Sequence, residues 1–262
     1  MTSALALLLL SGSLQPAAVR ALGARQGAVV VLDALSGKAL VAYPPDVALR
    51  RAVKPGSAIK PFTLAAILAS GIAGKAPCAR HLLLAGRNLS CSHPPVPGPL
   101  GPAEALAYSC NSWFAQMAAR LSPEVLVSAL RGSGFTVGAL PDTPEALQLL
   151  ALGEGDVSIT PAGLANAYRR LARTAPPAIM DGLRDAVLYG TARLARPDSL
   201  AVAGKTGTAS SEDRAWKHGW FAGFAPGQDP RVVVVVFIER GQGGGDAAPV
   251  AREVFEAWRR GH

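Results

Sequence analysis

Val232-Val233-Val234-Val235-Val236-Phe237-Ile238 is an apolar run without a single polar interruption. A strand with one wet face alternates apolar and polar residues. A run without that alternation is buried on both faces and sits centrally in its sheet. Working outward, Gly219 to Ala225 and Leu200 to Thr208 read as the two preceding strands, and Asp246 to Trp258 as a closing helix after a Gly-rich turn. Near the other end, Gly27 to Asp33 and Lys38 to Tyr43 are Val-containing runs joined by Ala34-Leu35-Ser36-Gly37, a hairpin signal. Between these parts the pattern is helical. Helices are expected over Ala103 to Ala107, Trp113 to Leu121, Pro123 to Leu130, from Thr160-Pro161 onward, and over Asp181 to Tyr189. The order predicts an α/β (α+β) fold: an antiparallel sheet flanked by helices, with an all-helical lobe inserted. The lobe, about 75–200, would separate sheet portions 27–74 and 201–262.

At 262 residues, half of them apolar, the chain can bury a sizeable core in one domain. A net charge of +8 suits anionic surfaces such as a cell-wall polymer, lipid headgroups or nucleic acid. The basic residues are scattered with no run of four, which argues against nucleic acid. Three cysteines are too few for a disulfide scaffold, and neither they nor the four histidines show metal-ligand spacing, so no metal is expected.

Thr2 to Leu14 is small and apolar, too short for a membrane span, and resembles the apolar region of an export signal with Ala17 and Ala18 near a cleavage point. Residues 1–26 are therefore expected to be a signal-like or anchor segment preceding a domain of residues 27–262. Cys78 to Gly101, with Pro94, Pro95, Pro97 and Pro99, reads as a long ordered crossover. Cys78 and Cys91 would pair in an exported protein and remain buried thiols in a reducing compartment.

Lys54-Pro55-Gly56-Ser57-Ala58-Ile59-Lys60-Pro61-Phe62 holds the candidate chemistry. Pro61 is tolerated only in a helix's first turn, so the helix should begin near Ser57, with Lys60 one turn on and on the same face. A hydroxyl beside an amine at the positive end of a buried helix can be an activated nucleophile. By itself S-x-x-K is equally a helix cap followed by a solvated lysine. Two further stretches change its weight: Ser109-Cys110-Asn111 between two helical segments, and Lys205-Thr206-Gly207 opening the strand half. S-x-x-K, then S-x-N, then K-T-G, in that order, is the signature of penicillin-recognising acyl-serine enzymes.

From about Gly27 to Trp258 the chain resembles the transpeptidase domain of penicillin-binding proteins. Val30 to Asp33 with Ser36-Gly37-Lys38, Gly153-Glu154-Gly155 with Ile159-Thr160-Pro161, Gly190-Thr191-Ala192 and His218 to Pro226 extend the match. The resemblance implies a β-lactamase/transpeptidase-like fold and a serine-type peptidoglycan D,D-transpeptidase. Such an enzyme forms an acyl-enzyme with D-Ala-D-Ala stem peptides, binds β-lactams, and works outside the cytoplasm near the membrane without a cofactor. By the same resemblance Ser57 is the nucleophile, Lys60 its base and Ser109 a proton relay. Asn111 would bind the peptide amide, and Lys205, Thr206 and Thr208 the terminal carboxylate. Gly207 would let the strand approach the ligand, and the N–H groups of Ser57 and Thr208 would form the oxyanion hole. Lys205 is also expected to lower the pKa of Lys60. The transpeptidase portion is shorter than usual for the family. The alternatives are a D,D-carboxypeptidase or β-lactamase, or a non-catalytic penicillin-binding sensor. Glu154, Trp220, Phe221, Phe224 and Cys110 are read as structural, and His218 has no partner identifiable from sequence.

Overall fold

The computed structural model describes residues 14–213 and 215–262. Its main sheet has strands β1 (Gly27–Asp33), β2 (Ala39–Tyr43), β3 (Ala203–Ser210), β4 (Lys217–Ala225) and β5 (Val232–Ile238). They lie in the order β2-β1-β5-β4-β3, every neighbouring pair antiparallel. The valine run is thus the middle strand, as its lack of alternation requires. Val233, Val235 and Phe237 pack toward the helical lobe with Ala222, Phe224 and Tyr168. Val232, Val234, Val236 and Ile238 pack on the other face with Phe221, Phe255 and Trp258. Each fully buried side chain of this size contributes roughly 1.5–3 kcal/mol, so a polar residue would be costly at either parity.

The outer face is covered by helix Ala248–Arg260, through Val250, Ala251, Val254, Phe255 and Trp258, and by a helix over residues 14–22. Leu14, Ala18, Ala21 and Leu22 of that helix are buried in the same apolar layer. The expected boundary after residue 26 is corrected accordingly. Residues 14–22 pack as part of the domain, because their apolar face completes the cover of β1 and β5. The export-segment expectation for Thr2 to Leu14 falls mostly outside the described residues. Among the described residues no helix is long and apolar enough to cross a membrane.

The lobe forms between β2 and β3, but it is not wholly separate from the sheet. Helix Pro161–Thr174 lies against β1 and β5. Two helices went unanticipated, Pro45–Arg50 and Pro144–Ala151. The second carries a readable start signal: Thr143 caps it, accepting the Ala146 N–H at 3.2 Å, and Pro144 follows at the first helical position. The crossover is ordered by two short paired strands, Leu83–Leu84 and Arg87–Asn88, and by a bridge between Ala76 and Leu100.

The nucleophile segment begins as a single 3₁₀ turn, Gly56–Ile59, and continues as helix Lys60–Ala69. Four ties fix the start of this segment. The Gly56 N–H donates to Gly153 O (3.1 Å), Trp220 Nε1 to Lys54 O (2.9 Å), Tyr168 Oη to Ala58 O (2.9 Å), and Thr63 Oγ1 to Ala151 O (2.9 Å). Gly56 has φ +51°, and a Cβ there would run into the Thr208 carbonyl of β3. Gly56→Ala should therefore lower stability by at least about 2 kcal/mol, combining left-handed strain with a backbone clash. Gly71→Ala, at φ +67° but facing open space, should cost only about 1 kcal/mol. Urea titrations of the two variants check the difference.

Candidate active site

Ser57, Ser109, Asn111, Thr206 and Thr208 line one cavity of about 820 Å³. Three separate parts of the chain supply them. Ser57 comes from the 3₁₀ turn, and Thr206 and Thr208 from the edge strand β3. Ser109 and Asn111 come from the joint between helices Pro102–Ala107 and Asn111–Ala118. Ser109 sits at φ +55°, a conformation uncommon for a residue with a Cβ. The left-handed residue breaks the helical path and sets the next helix, capped by Cys110, on a new axis.

Lys60 is fully buried, and its amine makes three hydrogen bonds: to Ser109 O (2.8 Å), Ser109 Oγ (3.2 Å) and Asn111 Oδ1 (2.5 Å). Burial removes the water that would stabilise an ammonium and lowers its pKa to about 8. The neighbouring Cys91 and Cys110 offset part of that lowering. Among the described residues no hydrogen bond joins the Ser57 hydroxyl to the amine. Asn111 is committed as well, since its Nδ2 donates to Leu89 O (2.8 Å). Its carboxamide thus braces Lys60 against the crossover.

Two β3 residues expected at the ligand lie off the cavity wall. Lys205 is fully buried and Gly207 is off the cavity wall; successive residues of a strand face opposite ways, and Thr206 and Thr208 take the cavity side. Lys205 Nζ donates to Thr206 O (3.0 Å) and approaches Thr191 Oγ1 (3.5 Å), so its amine lies beneath the threonines. Gly207 is small for the sake of the protein's own backbone: a Cβ there would strike the Pro55 carbonyl and the Ala58 N–H of the Ser57 turn. Burial is the main cause of the lowered pKa of both lysines. The charge of Lys60 depresses Lys205 further, whereas burial alone lowers Lys60.

Several wall residues were not assigned by sequence. Thr191 accepts a hydrogen bond from Thr206 Oγ1 (2.9 Å), and its turn is pinned to the lobe where its N–H donates to Ala107 O (3.3 Å). Arg193 and Lys217 add cations to the same cavity. Gly190-Thr191-Ala192 was the available signal for the first two. Nothing in the sequence places Lys217 there. Arg87 of the crossover pairs with buried Glu154, donating to its carboxylate and its carbonyl O (3.0 Å), while the Ser210 N–H donates to the same carboxylate (3.2 Å). His218 also finds its partner, the Glu239 carbonyl, 2.7 Å from Nδ1. Trp220, Phe221 and Phe224 are buried core.

The chain matches the family described as penicillin binding protein transpeptidase domain, over residues 27–192 and 178–256. It is similar to the peptidoglycan D,D-transpeptidase PbpA of Mycobacterium tuberculosis, 28% identical over 281 residues that cover 82% of this chain and 56% of the relative. The chain thus spans about half the length of the curated relatives it matches. Its fold superposes on the D,D-transpeptidase domain of a peptidoglycan glycosyltransferase from Eggerthella lenta with TM-score 0.80 and 25% identity, covering 94% of this chain and 80% of that one. An imipenem acyl-enzyme complex of penicillin-binding protein A from M. tuberculosis matches with TM-score 0.78 and 25% identity, covering 94% and 78%.

Because the Arg87–Glu154 pair is nearly buried, removing one partner strands the other charge. Glu154→Gln should destabilise the protein by about 3 kcal/mol, and adding Arg87→Met should recover much of that loss. A denaturant double-mutant cycle measures the coupling.

Proposed function

The chain belongs to the penicillin-binding protein transpeptidase family, and on that premise we propose that it is a serine-type peptidoglycan D,D-transpeptidase acting outside the cytoplasm. Ser57 Oγ attacks the carbonyl of the penultimate D-Ala of a stem peptide as its proton passes to neutral Lys60. A proton returned through Ser109 to the leaving nitrogen lets the terminal D-Ala depart, and an amine acceptor resolves the acyl-enzyme. β-Lactams acylate the same hydroxyl. The observation that carries this reading is the convergence of Ser57 and a buried Lys60–Ser109–Asn111 network on one cavity.

Proton flow follows from the donors of Lys60. An ammonium has three N–H groups, and all three are used. A neutral amine has two N–H groups and a lone pair, so one contact must reverse. The longest, to Ser109 Oγ at 3.2 Å, can do so, the hydroxyl then donating to nitrogen. Ser109 thereby links Lys60 to the reacting atoms as the relay toward the leaving amine. The Ser57 hydroxyl, not bonded to the amine here, would engage this network when substrate is bound. The N–H groups of Ser57 and Thr208 would receive the oxyanion, a contribution of about 3 kcal/mol per donor. The substrate carboxylate would meet the hydroxyls of Thr206 and Thr208 over the amine of Lys205, with the cations of Arg193 and Lys217 at the wall. Glu154 is bound by Arg87 and Ser210, which argues against its use as a base for hydrolytic deacylation.

A labelled penicillin should modify the wild-type chain covalently and leave Ser57→Ala unlabelled; an unlabelled wild type would overturn the proposal. Ser109→Ala should slow acylation about 10²–10⁴-fold with the fold intact. Because Lys60 must be neutral, the acylation rate should rise with pH, about tenfold per unit, and level off above about 8. Stopped-flow labelling across pH reads this directly. With a D-Ala-D-Ala peptide and an added amine, mass spectrometry should show D-Ala release and the cross-linked product.

A further inference from the structure

Behind the Ser109 joint, four side chains that no part of the proposed chemistry uses have come together. Cys78 Sγ lies 3.6 Å from Cys91 Sγ and 3.5 Å from His93 Nε2, and Cys91 Sγ lies 3.7 Å from Cys110 Sγ. All four ligand atoms fall within 4.8 Å of one another, and Cys91, His93 and Cys110 are buried. All three cysteines are free thiols. We propose that Cys78, Cys91, His93 and Cys110 form a tetrahedral zinc site that fastens the crossover to the Ser109 joint.

The separations fit such an ion. Zinc bonds to sulfur at about 2.3 Å and to nitrogen at about 2.0–2.1 Å, which gives tetrahedral edges of about 3.8 Å between sulfurs and about 3.6 Å from sulfur to nitrogen. The three short edges already have these lengths. The longest separation would close by about 1 Å when the ion binds. Three thiolates with one imidazole are a soft donor set suited to zinc, and binding releases the three thiol protons to solvent. The imidazole is also oriented for it. His93 Nδ1 lies 2.7 Å from Pro94 O, and because a carbonyl can only accept, Nδ1 carries the proton there. That leaves the Nε2 lone pair directed at the thiols, the arrangement in which a backbone carbonyl fixes a metal-binding histidine.

The sequence spacing of these residues matches no compact ligand motif, which is why no metal was expected. The cluster exists only because the crossover folds back over the joint. Cys78, Cys91 and His93 belong to the crossover, while Cys110 stands between Ser109 and Asn111, the two residues that hold the Lys60 amine. The zinc site stands independently of the catalytic reading. Its consequence for acylation rests on that reading: a loosened joint would release Lys60 from its partners.

The test uses the full chain, expressed with zinc supplied and purified without chelator. Elemental analysis for zinc, copper and iron should find one zinc per chain, and thiol counting after unfolding in chelator should find three free cysteines. After removal of the metal under reducing conditions, added Co²⁺ should produce a thiolate-to-cobalt charge-transfer band in wild type. This arm needs no variant to fold. His93→Ala should weaken zinc affinity at least about 100-fold, while His81→Ala, in the same crossover but outside the cluster, should not change it. Zinc removal should slow penicillin labelling and zinc return should restore it. A chain that lacks zinc and carries a Cys78–Cys91 disulfide overturns the proposal. So does copper or iron in place of zinc, or cobalt addition without a thiolate band. A penicillin-inert chain that still holds zinc would overturn only the enzymatic reading.

Discussion

The site depends on how closely the backbone of the Ser57 turn can approach the edge strand β3. Side chains cannot mediate that contact, because the cavity needs Ser57 and Thr208 on the same wall. Two residues without a Cβ meet there: Gly56 on the turn, facing the Thr208 carbonyl, and Gly207 on the strand, facing Pro55 and Ala58. Van der Waals exclusion at this contact determines where the hydroxyl sits relative to the β3 threonines. The remaining ties, from Gly153, Trp220 and Tyr168, hold the turn so that the approach is not lost.

Placing the turn there has an electrostatic consequence. Helix Lys60–Ala69 enters the core directly, so its first residue is buried, and the neighbouring strand buries Lys205 as well. Two amines out of water each lose the hydration that favours their charge, and repulsion disfavours charging both. A lysine that would stay protonated in water has its pKa shifted to about 8, the direction that the proposed base role requires. The protein compensates the buried amine with oxygens: a carbonyl and a hydroxyl from Ser109, and the carboxamide of Asn111, itself held by the Leu89 carbonyl.

Those oxygens come from a loop, and loops need fastening. Ser109 occupies a left-handed conformation that must be enforced from outside. The enforcement comes from the crossover: Leu89 binds Asn111, Arg87 binds Glu154, and the Cys78–Cys91–His93–Cys110 cluster sits behind the joint. A zinc ion there would convert a proline-rich excursion into a rigid brace. The chemistry of Lys60 would then depend on a metal that touches neither substrate nor nucleophile.

Local pattern was enough for the sheet and for the order of the motifs. The lack of polar alternation marks β5 as central because neighbouring residues face opposite sides of a sheet and both must then be buried, and proline in a first turn marks helix starts because that N–H has no partner to lose. The sequence likewise identified Ser57, Lys60, Ser109, Asn111, Thr206 and Thr208, all now found in or beside one cavity. It did not reveal that β3 turns Thr206 and Thr208 to the cavity while Lys205 lies buried beneath them and Gly207 faces the Ser57 turn. Nor did it reveal that residues 14–22 complete the outer core, that Asn111 is already engaged, or that four residues scattered between 78 and 110 meet. These are contacts between segments far apart along the chain or joined by irregular loops. Their geometry is set by long-range packing, which no local periodicity records.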